Sequence, residues 1–166
     1  MPDGVPVNPD DSDGVTHLAT WAQFEADASE LAAEGRRLLY ARGDGEGLLA
    51  TVRGEGLPRI HPVNVAVVAD GLFVFVMAKS AKRTDLEEDG RFALHSHHDL
   101  AAPSEFAIRG RARIVDGAVR SQVAAGWAFE IDETYTLFEL SVDAALLGQR
   151  SVDEWPPRYR SWPPTA

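Results

Sequence analysis

Residues 58–94 read PRIHPVNVAVVADGLFVFVMAKSAKRTDLEEDGRFAL. Pro58 and Pro62 argue against helix, so PRIHPVNVAVVA is a long extended segment. Asp70-Gly71 is a two-residue hairpin signal, and LFVFVMA returns as the next strand. The apolar run then stops, and Lys79, Ser80, Lys82 and Arg83 follow within five residues. A short helix over about 84–89 comes next, with Thr84 and Glu87 as a capping box and Gly90 as its end. RFALHSHH resumes as a strand. The local order is strand, hairpin, strand, cationic corner, short helix, strand.

The flanking sequence extends this pattern. GLLATVRG is a strand ending at the Gly54-Glu55-Gly56 turn, so three strands joined by tight turns should form an antiparallel meander. Residues 19–35 should form one helix. Thr20 is its N-cap, Gln23 the capping-box partner, Gly35 its stop, and Trp21, Phe24, Ala28 and Leu31 share a face. RRLLYARG is either a short strand or the end of that helix. In EFAIRGRARIV, Phe106, Ile108, Gly110 and Ala112 alternate with Ala107, Arg109, Arg111 and Arg113, the arginine side facing out. Asp116 caps a helix carrying Val119, Val123 and Trp127. TYTLFELSV is the last strand. Trp155, Tyr159 and Trp162 in the Pro-rich tail DEWPPRYRSWPP should pack on the body or on a partner. This order is mainly β with helices at the ends, not βαβ alternation. One domain over 19–166 is expected, preceded by a flexible acidic arm over 1–18.

Composition narrows the chemistry. The 166 residues contain no cysteine, which excludes disulfides, thiol catalysis and Cys-ligated metal centres. A formal net charge of −10 disfavours broad attraction to nucleic acid or anionic membranes. No apolar run reaches the roughly 20 residues of a membrane-spanning helix, and the N-terminus lacks signal-peptide character. A cytoplasmic protein is the expectation.

In so acidic a chain, an anionic ligand needs a local cationic site. The corner at 79–83 offers one: backbone N–H groups at a helix start, the Ser80 hydroxyl, and the charges of Lys79, Lys82 and Arg83. The alternative is a solvated loop whose cations pair with Glu87, Glu88 or Asp89. HSHHD at 95–99 brings His95 and His97 to one strand face, but a metal needs three or four convergent ligands. Arg109, Arg111 and Arg113 are either a solvated face or a trough for an acidic tail. There is no GxSxG motif, no GxGxxG and no phosphate loop.

ATV at 50–52, PRIHPV at 58–63, Ser80 with Lys82, and DGRFAL at 89–94 together resemble the FMN-binding split-barrel family related to pyridoxamine 5′-phosphate oxidase. That family includes reductases using the deazaflavin F420 and haem-handling members. The resemblance implies a six-stranded antiparallel split barrel of Greek-key type. It also implies a homodimer, with cofactors at the subunit interface. By position, Arg59, Ser80 and Lys82 would hold the cofactor phosphate. The backbone of Ile60, His61, Pro62, Val63 and Asn64 would run along the ring, and Phe75 and Val76 would line the same pocket. Lys79 and Arg83 are further candidates on charge. His61 is either a packed strand histidine or a donor near the ring. The chain departs from the family pattern at Ala81, where members often carry a second cation, and at Glu105, where many flavin oxidases carry Gln. The C-terminal Arg motif for pyridoxal phosphate is not recognisable. The implied function is an FMN-binding oxidoreductase; the alternatives are an F420-dependent reductase or a non-catalytic flavin- or haem-binding protein. In such an enzyme the cofactor carries the electron chemistry, in keeping with the lack of an obvious acid–base pair.

Overall fold

The computed structural model describes residues 18–164. Apart from Leu18, the expected N-terminal arm lies outside the described residues. The elements are α1 (Trp21–Asp27), α2 (Ser29–Leu39), β1 (Glu46–Val52), β2 (Pro58–Asn64), β3 (Ala66–Val68), β4 (Gly71–Met77), α3 (Ala81–Glu88), β5 (Arg91–His95), β6 (Glu105–Val115), α4 (Gly117–Ala125), β7 (Tyr135–Leu140), β8 (Ala144–Gln149) and β9 (Arg158–Trp162).

The capping box at Thr20 and Gln23 is present, but the single helix over 19–35 is two. Ala28 leaves helical conformation at φ −141°, ψ 57°, and α2 runs on through Leu39. Gly35 is therefore not a stop. It is buried mid-helix, where an added Cβ would lie 2.5 Å from ring carbons of Phe106. Its role is close packing of α2 on β6. RRLLYARG is the end of this helix, not a strand.

The strand path runs β2-β1-β5-β6-β7-β4-β3, with β8 paired to β6 and β9 to β8. All pairings are antiparallel. The sheet is not a simple meander. The extended segment at 58–69 splits at Val65 into β2, paired with β1, and β3, paired with β4. These consecutive strands lie at opposite ends of the path, so the sheet must curl to accommodate the short connection. The Val65 N–H donates to Gly45 O at 2.9 Å, satisfying the backbone at this corner. β6 is shared between both halves. Residues 105–111 pair with β8 and β5, and 112–115 with β7. Just before the change lies Gly110, where a Cβ would sit 2.0 Å from Ser141 O.

The hairpin before β4 turns one residue earlier than Asp70-Gly71. Ala69 and Asp70 both have positive φ, 49° and 64°, as a type I′ turn needs. β4 is buried on both faces, which is why LFVFV is apolar throughout. Leu72, Val74 and Val76 enter the main core with Leu49, Leu94, Phe106, Ile108, Phe138 and Leu147. Phe73 and Phe75 face the other way, against Leu137 and Val123. α3 begins at Ala81 rather than at Thr84, so Lys82 and Arg83 lie in its first turn. Ser80 is its N-cap residue in extended conformation without a side-chain cap. Gly90, at φ +78°, follows the helix as expected of a left-handed stop.

The fold is mainly β, a curled antiparallel half-barrel with flanking helices. It has nine strands among the described residues, not six. β3, β8 and β9 are the additions. The tail packs as expected through Trp162, whose ring lies 5.2 Å from that of Phe24, while Trp155 and Tyr159 stay exposed.

Candidate functional site

A cleft of about 440 Å³ opens where the end of β2 meets β4 and the start of α3. Pro62, Val63 and Asn64 form one wall, Phe75 and Met77 another. Ser80 and Lys82 stand at one part of its rim. Arg42, Glu46 and His97 contribute further polar lining, and Trp127, Phe129 and Tyr135 complete the aromatic side.

The aromatic side follows from the alternation of β4. Phe75 points away from the main core, and its ring meets Trp127 edge-on at 4.9 Å. Trp127 contacts Phe129 at 6.3 Å, and Phe129 contacts Tyr135 at 5.9 Å. The segment carrying them is pinned from beneath. Arg120 donates to Asp132 O at 2.8 Å and to Tyr135 O at 3.1 Å, with its guanidinium 5.6 Å from the Phe75 ring centre. Asp132 accepts from the Thr134 N–H and hydroxyl at 2.8 and 2.6 Å. Trp127 Nε1 is buried and has no hydrogen-bond partner, a spare donor beside an apolar wall.

At the α3 end, the Ser80 hydroxyl donates to Met77 O at 2.8 Å. Lys82 is half-buried, and desolvation pushes its ammonium below the ordinary lysine range. Beside this lies a buried polar chain. Thr51 Oγ1 donates to Asp85 Oδ2 at 2.8 Å and lies 3.3 Å from His61 Nε2. The single Thr51 proton is committed to Asp85, so His61 must donate from Nε2, leaving Nδ1 as an acceptor. His61 is held below the ordinary histidine value, first by desolvation and then by Lys82 and Arg59, with Asp85 opposing. Arg59 Nε is 3.5 Å from Asp85 Oδ2. That Nε is buried without a hydrogen bond, so this is an ion pair with donor capacity in reserve.

The structure brings Pro62, Val63, Asn64, Phe75, Ser80 and Lys82 into one cleft. Arg59 and His61 lie next to it on the inner face of β2, beside Thr51. Arg59 opens into a neighbouring hollow lined by Arg53, Glu55, Asp85 and Glu88. The other expected residues are elsewhere. Ile60 points to the outer face and is 70% exposed. Val76 is fully buried in the main core, because strand alternation sets it opposite Phe75. Lys79 is exposed. Arg83 turns into a different hollow, donating to Ala78 O and to Glu87, as the solvated-loop alternative anticipated for this one cation.

The sequence reading missed Arg42, Glu46, Met77, Trp127, Phe129 and Tyr135; His97, singled out within HSHHD, also lines the cleft. The aromatic signal was visible as three rings within GWAFEIDETY, a spacing too irregular for a core-facing helix. His97 lines the cleft with Nε2 3.8 Å from Glu46. His95 is separated from it, with Nδ1 2.6 Å from Ser96 O and Nε2 3.5 Å from Glu105. No group of three or more His, Asp or Glu suited to a metal occurs among the described residues. Glu105 accepts from the Tyr159 hydroxyl at 3.1 Å and does not line the cleft. Arg109, Arg111 and Arg113 are exposed. Arg113 pairs with Glu139, and Arg109 and Arg111 oppose the rise that burial imposes on the Asp143 carboxyl.

Neither a protein-family profile nor a curated protein matches the sequence. Solved structures do match. A heme binding protein from Mycobacterium smegmatis aligns at TM-score 0.58 and 18% identity, over 77% of this chain and 57% of its own. The fold is a split barrel. HutZ, the heme storage protein from Vibrio cholerae, aligns at TM-score 0.56 and 20% identity, over 68% of this chain and 89% of its own. PhzG from Burkholderia lata 383, in complex with tetrahydrophenazine-1-carboxylic acid, aligns at 0.57 and 12%, over 93% and 90%. This chain therefore spans little more than half the length of the mycobacterial protein. These split barrels are named for different ligands, so the shared architecture leaves the ligand to be argued from the cleft.

Proposed function

We propose that the cleft binds a flavin or deazaflavin, FMN or F420, in an oxidoreductase. One observation carries this reading: Phe75, Trp127, Phe129 and Tyr135 line the same cleft as Lys82 and Ser80. A planar aromatic redox molecule with an anionic end needs both. The aromatic walls would take the ring, the Trp127 Nε1–H supplies a spare donor, and Lys82 would face the charged end, with Arg59 behind it. The bound cofactor would supply the hydride or electron chemistry; the chain would orient it and exclude water. The test is the absorbance spectrum of the protein as purified, followed by titration with FMN and with F420. Failure of both to bind at micromolar levels would refute the reading.

Haem is the second reading, supported by His97 in the same cleft. A Soret band that disappears in His97→Ala would favour it over flavin.

The proposal includes a cytoplasmic homodimer. The outer face of β2, β1, β5, β6 and β8 carries Ile60, Leu48, Ala50, Ala93, Ala107 and Leu146 in register. These apolar side chains, with His95 and Arg109 interleaved among them, would suit an identical partner.

A further inference from the structure

We propose that Arg109 and Arg111, on the outer face of β6, form a docking strip for the acidic N-terminal segment of the same chain, with Asp10, Asp11 and Asp13 as its contacts. This inference is independent of the cofactor reading.

Strand alternation sets the strip. Phe106 and Ile108 enter the main core, so Arg109 and Arg111 point the other way, and both are exposed. Arg111 lies opposite Arg91 of β5, and Arg109 opposite Ala93. Arg91 already has a counter-ion, donating to both carboxylate oxygens of Asp89 at 2.6 and 2.8 Å. Arg113, next along the same face, pairs with Glu139. The guanidinia of Arg109 and Arg111 make no hydrogen bond or ion pair among the described residues. Asp143 lies in their field without contacting either, and its Oδ1 is buried with no hydrogen bond. Like charges directly opposite on neighbouring strands repel, so the Arg91–Arg111 pair favours an added anion. Arg91, Arg109, Arg111 and Arg113 stand against Asp89, Asp143 and Glu139, which leaves one positive charge in excess.

The described chain begins beside this strip. The Val142 N–H donates to Ala19 O at 2.8 Å, while the N–H groups of Ser141 and Asp143 donate to Arg111 O and Arg109 O at 2.9 and 2.8 Å. Ala19 is therefore two strand spacings from β6, about 10 Å. Residues 1–17 carry Asp3, Asp10, Asp11 and Asp13 and no lysine or arginine. Asp10, Asp11 and Asp13 precede Leu18 by five to eight positions, and an extended chain spans about 3.3 Å per residue, so their reach exceeds that distance. A chain with a net charge of −10 repels such a segment over much of its surface. Beside the segment's root, two uncontacted guanidinia attract it, and the tether keeps its local concentration high. Exposed ion pairs are individually weak, so the docking is partial and sensitive to salt.

The experiment uses the full chain. It has no cysteine, so Ser12→Cys gives a single attachment point for a nitroxide, whose broadening of backbone amide signals is read by NMR at pH 7 and low salt. Broadening should centre on Arg109, Gly110 and Arg111. It should fall about two-fold or more when Asp10, Asp11 and Asp13 are all replaced by Asn, when Arg109→Gln and Arg111→Gln are combined, and in 1 M salt, where charges are screened beyond about 3 Å. Equal broadening with and without the three aspartates overturns the proposal, because tethering alone then explains it. So does broadening that falls with the aspartates but not with the arginines, which places the segment elsewhere. Should the arginine variant fail to fold, the aspartate variant and the map of broadened amides decide. Mixing a nitroxide-bearing chain with an isotopically labelled chain separates the source: broadening of Arg109 to Arg111 only across chains means that a partner's segment docks, and overturns the assignment to the same chain.

Discussion

Replacing Lys82 by Gln tests the cleft most directly. The ammonium is half-buried at the first turn of α3, and its pKa is already lowered by desolvation. Two unit charges 4 Å apart attract by about 4 kcal/mol at an effective dielectric of ~20. Part of that is spent on the desolvation that lowers the lysine pKa, so a net loss of about 1.5–3 kcal/mol is expected, as for a charged hydrogen bond. This corresponds to roughly 10- to 150-fold weaker binding of a ligand carrying an anionic end. Gln retains most of the aliphatic stem and a donor, so packing changes little. The assay is quenching of flavin fluorescence, with riboflavin as the uncharged control, and Lys82→Arg should recover most of the loss. If riboflavin weakens as much as FMN, Lys82 acts on the ring and not on the charged end. If neither weakens, the anionic end lies elsewhere and the geometry has been misread.

Three further outcomes follow from other parts of the molecule. Gly35→Ala forces a Cβ against the Phe106 ring at 2.5 Å and should cost about 1–3 kcal/mol by overpacking; a lower denaturation midpoint at constant m-value checks it. The folded pKa of His61 is lowered, so the unfolded chain binds more protons there below about pH 6.5. The stability this group contributes is full above that value and is lost as pH falls through the folded pKa, and His61→Gln should flatten that part of the stability–pH curve. Ile60→Glu places a charge on the outer sheet face, where Ile60 is 70% exposed in the single chain; light scattering should report a monomer while circular dichroism stays unchanged, whereas an intact dimer would exclude that face as the interface.

The strand alternation of EFAIRGRARIV, the Thr20 capping box and the apolar β4 were legible because each depends on neighbours in sequence. Gly35 was not. Its meaning depends on Phe106, 71 residues away, and a glycine at a packing contact looks like a helix stop until the contact is known. β8 and β9 were missed for a related reason. AALLGQ and RYRSW have weak or mixed alternation of their own, and become strands because β6 and then β8 offer free backbone partners in register. The start of α3 was misplaced because Thr84 and Glu87 match a capping box, while the actual N-cap, Ser80, directs its hydroxyl back to Met77.

The candidate site divides in the same way. Phe75 and Val76 were expected side by side in one pocket, yet adjacent residues of a strand face opposite directions. With β4 buried on both faces, one enters the barrel core and the other the cleft. That division also accounts for Trp127, Phe129 and Tyr135. Phe75 needs cover on the α4 side, and the segment from α4 to β7 supplies it through Trp127. Only part of this cover is closed, since Phe129 remains 44% exposed and the cleft opens beside it. The second apolar cluster therefore both stabilises β4 and provides the aromatic wall of the cleft. Removing Trp127 should accordingly lower stability and ligand affinity together, whereas removing Lys82 should lower affinity alone.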